Sequence, residues 1–230
     1  MKRALMCLLL AAVTVAGLRA QTDDEYLMEV GGGIGVMSYQ GDFNGSLFGN
    51  MQPMFSLQGR RLFGPWMGLQ ASIGYGTAKG SAKDAGSYHP DESLQPLSYE
   101  FSNRVIDGSV RFEYNFWPFG TGREYRGAQP LTPFAFVGLG GTYVDTGNGG
   151  DFALSFPIGV GVKYKLAPRL NLAAEWAMHF TGSDKLDSMK DPLHVISEGS
   201  KNKDSFSCLQ VTLTYSFMAR CRTCHNADEY

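Results

Sequence analysis

The sequence predicts an all-β fold: an eight-stranded antiparallel transmembrane β-barrel of the outer-membrane kind. Three observations carry that reading. Glycine supplies 29 of 230 residues, about 13%, and aromatics another 13%, while charged residues are only 18%; average proteins have ~7% glycine and ~25% charged residues. Beyond the N-terminus no stretch reaches the ~18 uncharged apolar residues of a membrane-spanning helix. Instead, segments of ~9–11 residues alternate with period two, apolar on one face and small or polar on the other, which is how a strand with lipid outside and a narrow lumen inside must read.

The first element is a secretion signal over residues 1–20. Met1-Lys2-Arg3 is a short basic start, Ala4 to Leu18 is an almost unbroken apolar run, and the chain turns polar at Gln21-Thr22-Asp23-Asp24 after the small residue Ala20. That layout places cleavage after Ala20. Cys7 lies inside the apolar run rather than at the start of a mature chain, so it does not read as a lipidation cysteine. Removing Lys2, Arg3 and Arg19 leaves 17 basic against 22 acidic residues, a net charge of −5. A chain so charged offers no field for nucleic acid.

The barrel is expected over 21–217. The clearest strand is Phe152 to Tyr164: Phe152, Leu154, Phe156, Ile158, Val160, Val162 and Tyr164 share one face, and Ala153, Ser155, Pro157, Gly159, Gly161 and Lys163 the other. Pro157 removes a ladder hydrogen bond, which predicts a bulge there. After the tight turn Leu166 to Arg169, Leu170 to Thr181 repeats the pattern. Met67 to Thr77, Ile106 to Phe116 and Leu209 to Phe217 alternate as cleanly. Tyr26 to Tyr39, Pro53 to Leu62 and Pro133 to Val144 alternate more weakly, and in the last either face suits lipid. Eight is an even number, as single-chain bacterial barrels require.

The connections alternate in length. Phe63 to Trp66 and Leu166 to Arg169 are short, whereas Gln40 to Gln52, Ala78 to Ser98, Asp145 to Asp151 and Gly182 to Asp204 fall at the other end, three of them long and polar. With both termini in the periplasm, the short turns are periplasmic. Trp66 and Trp117 then sit where an interfacial aromatic girdle belongs. An eight-stranded barrel is only wide enough for its own side chains. Inward Glu29, Arg60, Asp107, Arg111, Glu113, Lys163 and Glu175 are therefore expected to pair with one another, because buried charges need partners. Function is then expected in connections and tail.

Three places offer chemistry. The connection Pro118 to Pro130 is far longer than a periplasmic turn needs, and Arg123, Glu124, Tyr125 and Arg126 form a charged and aromatic cluster of the kind that anchors interfaces. The tail, 218–230, carries Cys221-Arg222-Thr223-Cys224-His225. This matches a c-type haem attachment pattern, but too few residues follow to wrap a haem. A Cys221–Cys224 disulfide, a solvated tail, or a metal contact through Cys221, Cys224 and His225 completed by a partner all stay open. At the outer rim, His179-Phe180-Thr181-Gly182-Ser183 loosely resembles the His-x-Ser pattern of lipid A deacylases, with Thr181 at the nucleophile spacing and Asp184 and Asp187 nearby; a triad cannot be read from spacing. No catalytic, cofactor or metal residue is assigned.

Several stretches together carry a family resemblance: Met37-Ser38-Tyr39-Gln40-Gly41-Asp42-Phe43-Asn44, Phe119-Gly120-Thr121-Gly122, Leu131-Thr132-Pro133-Phe134-Ala135-Phe136-Val137-Gly138-Leu139-Gly140, His179-Phe180-Thr181 with Ser183-Asp184-Lys185-Leu186-Asp187, and Leu213-Thr214-Tyr215-Ser216-Phe217. In order and spacing the chain resembles the PorG family, outer-membrane barrels of the type IX secretion system in Bacteroidota. The resemblance implies a non-enzymatic component in contact with outer-membrane lipids and with periplasmic ring proteins, a PorK-like lipoprotein and a PorN-like soluble partner. It names no binding residue. The alternatives are an OmpA-like barrel or adhesin acting through surface loops, and a lipid-modifying barrel enzyme.

Overall fold

A computed structural model describes residues 26–40, 49–81, 100–120, 128–145, 149–181 and 205–219. They form eight strands: β1 Tyr26–Gln40, β2 Gln52–Leu62, β3 Met67–Ser81, β4 Glu100–Asn115, β5 Leu131–Asp145, β6 Gly150–Ala167, β7 Leu170–Thr181 and β8 Ser205–Ala219. Each pairs antiparallel with its sequence neighbours, and β8 returns to β1 to close the barrel. Closure leaves no strand edge, which is what allows a sheet to sit in hydrocarbon.

The alternation of the sequence becomes inside and outside. Val137, Leu139, Phe152, Leu154, Ile158 and Val211 lie on the outer surface, while Gln70, Arg111, Glu113, Thr132, Lys163 and Thr212 are buried in the lumen. In water an apolar outer face of this extent would be unstable; in a bilayer it is the solvated face. Its height fits. From Leu131 to Tyr143, both outward on β5, twelve steps of ~3.3 Å at a tilt of about 45° span ~28 Å, close to the ~30 Å of a hydrocarbon core. Tyr75, Ile106, Tyr143 and Phe152 make one cross-strand row at the upper margin. Phe63, Trp66, Phe116 and Trp117 stand exposed at the short-turn end.

Three expectations need correction. Pro157 makes no bulge. Pairing with β5 lapses between Val137↔Ile158 and Gly140↔Ser155 and resumes in the same register, while β7 pairs straight through Pro157↔His179. The missing N–H costs one stretch of ladder, not an inserted residue. The irregularity of β6 lies instead between Lys165 and Ala167, at the turn. Second, several strands run beyond the predicted bounds, β3 to Ser81 and β4 from Glu100, still paired at Ser81↔Glu100. The connection expected over Ala78 to Ser98 is therefore partly strand. Third, the lumen is not polar throughout. Toward the long-connection end it is plugged by Met37, Tyr39, Met54, Ala78, Val105, Val144 and Phe206, all buried.

The open choice on β5 is settled with Phe134 and Phe136 inward. They fit because the facing positions of β6 are glycines. A Cβ at Gly159 would stand 2.3 Å from Phe136 Cζ, and one at Gly161 would stand 2.6 Å from Phe134 Cε1. The two rings stack at 5.9 Å.

Candidate functional site

All seven charges expected inside are inside; six pair with one another, whereas Asp107 meets none of the other six and is held by hydroxyls and His179 instead. Arg60 Nη1 donates to Glu29 Oε2, and Arg60 Nε lies 2.7 Å from Glu113 Oε2. The same carboxylate oxygen accepts from Lys163 Nζ at 2.6 Å. Arg111 Nη2 donates to Glu175 Oε1 at 3.0 Å. Asp107 Oδ2 accepts from the Thr142 hydroxyl at 2.7 Å and the Ser155 hydroxyl at 3.1 Å, and its other oxygen lies 3.4 Å from His179 Nδ1. Amides extend the network: Asn171 donates to Glu29 at 3.0 Å and to the Ser216 hydroxyl at 2.8 Å.

Aromatic rings cover the cations. Lys163 Nζ lies 4.3 Å from the Phe134 centroid and Arg111 Cζ 4.5 Å from that of Phe136. This explains why two large apolar side chains point into an ionic lumen: a desolvated cation gains from a π face. A cavity among Met37, Asp107, His179, Phe206 and Cys208 measures about 20 Å³, the room of one water. Such an interior is a plug.

His179 does not have the setting of a rim catalyst. It is buried in the lumen, stacked on Phe206 at 4.5 Å, and its carboxylate neighbour is Asp107. Thr181 is buried on the same face. Ser183, Asp184 and Asp187 lie outside the described residues.

The candidate interface residues Arg123, Glu124, Tyr125 and Arg126, and the tail residues Cys221, Cys224 and His225, also lie outside the described residues. What the structure describes is the base from which Arg123 to Arg126 spring. The two sides of this connection are clamped: Phe119 and Gln129 form a parallel bridge, and Gln129 N donates to Pro118 O at 2.8 Å. That stem is in turn fastened to the β2–β3 turn. Phe119 N donates to Pro65 O at 3.0 Å and Asn115 N to Trp66 O at 2.8 Å, while the Asn115 side chain donates to Pro65 O at 3.0 Å. Thr132 Oγ1 accepts from Trp117 N at 3.0 Å and donates to Trp117 O at 2.9 Å. Phe119 is buried at this end. A connection far longer than a turn thus leaves the barrel from a base that is bridged across its two sides and hydrogen-bonded to the β2–β3 turn.

This geometry meets a match along nearly the whole chain. A family model described as "Outer membrane protein beta-barrel domain" matches residues 5–217. The chain belongs to the outer-membrane β-barrel family. That places it in the outer membrane and accounts for the apolar outer face. No curated protein sequence matches it. Among solved structures it is similar to Neisserial surface protein A, at 16% identity and a TM-score of 0.47, over 83% of this chain and 97% of that one. It is also similar to Ail, the attachment invasion locus protein of Yersinia pestis, at 12% identity and a TM-score of 0.43, over 85% and 99%. OprG from Pseudomonas aeruginosa follows at 13% identity and a TM-score of 0.44, over 86% and 98%.

Sequence reasoning missed the stem and its partner turn. Pro118, Phe119 and Gln129 have no periodicity to reveal them. The one available signal was the excess length of the connection. It also missed a surface arginine: Arg169, on the β6–β7 turn, donates through Nε to the Tyr26 hydroxyl at 2.8 Å and through Nη1 to the Tyr215 hydroxyl at 3.1 Å. These hydrogen bonds, Tyr215 first, push its pKa further above the ordinary arginine value.

Proposed function

We propose that this outer-membrane barrel is a non-enzymatic membrane anchor for a periplasmic assembly, and that the assembly is the ring of a type IX protein secretion system. The carrying observation is the pairing of a plugged lumen with a long connection on a clamped stem. A barrel filled by Arg60, Glu113, Lys163, Phe134 and Phe136 has no room to pass cargo. It offers a fixed membrane position. A stem tied by Phe119↔Gln129 and Pro65 has little freedom of its own left to lose, which lowers the ordering cost of docking a partner on the connection it carries. The secretion-system assignment comes from the resemblance to PorG-like barrels. In that reading the short turns, the stem and both termini are periplasmic, and the partners are a PorK-like lipoprotein and a PorN-like protein.

The test is an Arg123→Ala/Arg126→Ala variant in the native cells. Heat-shifted electrophoretic mobility reports whether the barrel is folded. The reading predicts a folded barrel, reduced recovery of ring proteins and reduced export. Full recovery and full export with the double variant contradict the assigned contacts.

One observation favours a second reading. The β3–β4 hairpin continues from the Tyr75↔Ile106 row to Ser81↔Glu100, projecting past the outer aromatic row as a stalk would for a surface loop. If the barrel acts as an adhesin instead, deleting 82–99 removes its activity and leaves ring-protein recovery untouched.

A further inference from the structure

We propose that Arg169, clamped by Tyr26 and Tyr215, binds the phosphate of an anionic phospholipid at the short-turn end of the barrel. The guanidinium is exposed on the outer surface. It is nonetheless ordered, by the hydrogen bonds to both phenols and by lying 5.2 Å from the centre of the Tyr26 ring. Arginine has five N–H donors. The two phenols take two, leaving three for an anion in a fork whose orientation is already fixed. The planar fork matches the paired oxygens of a phosphate.

The surroundings select the ligand. Among the described residues no carboxylate stands on the outer surface at this end. Glu29, Asp107, Glu113 and Glu175 point into the lumen, and Glu100, Asp145 and Asp151 lie at the long-connection end of their strands. A second exposed guanidinium, Arg61, lies on the other side of β1, paired in register with Met28 and over the Phe63 ring at 5.7 Å. Two arginines that face no acid among the described residues, set among Tyr26, Phe63, Trp66 and Tyr215, lie at the level where aromatic residues mark the headgroups. At that depth the available anion is the lipid phosphate. Asp23, Asp24 and Glu25 precede Tyr26 in the chain and lie outside the described residues. They are competing acids, and the assay reads that competition, because a guanidinium they neutralised would retain no lipid.

The experiment is native mass spectrometry of the detergent-purified full-length mature chain with added phosphatidylglycerol. It needs no ring proteins, so its failure is separable from failure of the anchoring reading. Wild type is expected to retain phosphatidylglycerol over phosphatidylcholine. Arg169→Gln lowers retention about tenfold, the loss expected for charge-assisted hydrogen bonds. Arg169→Lys restores part of it. Tyr26→Phe/Tyr215→Phe keeps the charge, frees its orientation and gives an intermediate loss. Inorganic phosphate at the same concentration does not compete, because the acyl chains supply the rest of the affinity. Equal retention by wild type and Arg169→Gln overturns the proposal, as does displacement by inorganic phosphate. Loss of a co-purifying protein from Arg169→Gln with lipid retention unchanged assigns the surface to protein docking and overturns it as well.

Discussion

Glu113 is the hinge of the ionic plug, so its neutralisation has a calculable cost. One of its oxygens lies 2.6 Å from Lys163 Nζ and 2.7 Å from Arg60 Nε, and all three side chains are at most 2% exposed. Removing one partner of a buried ion pair costs ~3–5 kcal/mol, mostly because the other charge is left uncompensated. Arg60 keeps Glu29. Lys163 keeps only the Asn115 amide oxygen at 3.1 Å and the face of Phe134. One orphaned cation rather than two puts Glu113→Gln at the low end, about 3 kcal/mol, and the near-identical shape of Gln adds no cavity. With an m value of ~2 kcal/mol per molar urea, the unfolding midpoint falls by about 1.5 M. Adding Lys163→Met removes the orphan and should recover about 2 kcal/mol, a coupling within the range for contacting residues. The assay is reversible urea unfolding in lipid vesicles, followed by fluorescence of Trp66, Trp117 and Trp176. A loss under about 1 kcal/mol for Glu113→Gln, or additivity of the two substitutions, refutes the claim that the lumen is held by mutually dependent charges.

Gly161→Ala puts a methyl 2.6 Å from Ala174 O and from the Phe134 ring and should cost about 1–3 kcal/mol in the same assay. Gly108→Ala, with nothing within 4 Å of the new methyl, should change stability by less than about 0.5 kcal/mol. Val137→Arg, outward and midway between Leu131 and Tyr143, should cost about 2–4 kcal/mol in a bilayer and much less in short-chain detergent. In planar bilayers the wild-type barrel should show no steady conductance; a stable open channel would contradict the plug.

The period-two signal made all eight strands readable because each has hydrocarbon on one side and a packed lumen on the other. Where that contrast ends, the signal ends. Beyond Thr77 on β3 and before Ile106 on β4 the outer positions are Lys79, Ser102 and Arg104, while Ala78 and Val105 point inward, so the contrast is no longer apolar outside and polar inside and the strand ends went unseen. β5 was ambiguous because Phe134 and Phe136 point inward. Their match to Gly159 and Gly161 is a relation between strands that no single-strand pattern holds. The inward position of the seven interior charges was readable from alternation alone; that each finds another of the set holds for six, because Asp107 rests on the Thr142 and Ser155 hydroxyls and His179. Which pairs form depends on register, as between Arg111 on β4 and Glu175 on β7. The Pro157 bulge was inferred from the missing donor, but a strand can forgo a ladder bond without gaining a residue. The ties of the stem to Pro65 and Trp66 and the Arg169–Tyr26–Tyr215 clamp join segments far apart in the chain, and neither carries a local motif.

In the function proposed above, a filled barrel works by holding something on its short-turn side. Mild-detergent recovery of the tagged mature protein from its own cells, with mass spectrometry of what accompanies it, tests that claim most directly. Periplasmic ring proteins are expected in stoichiometric amount. Recovery of the barrel alone, under conditions that preserve other envelope complexes, would contradict it.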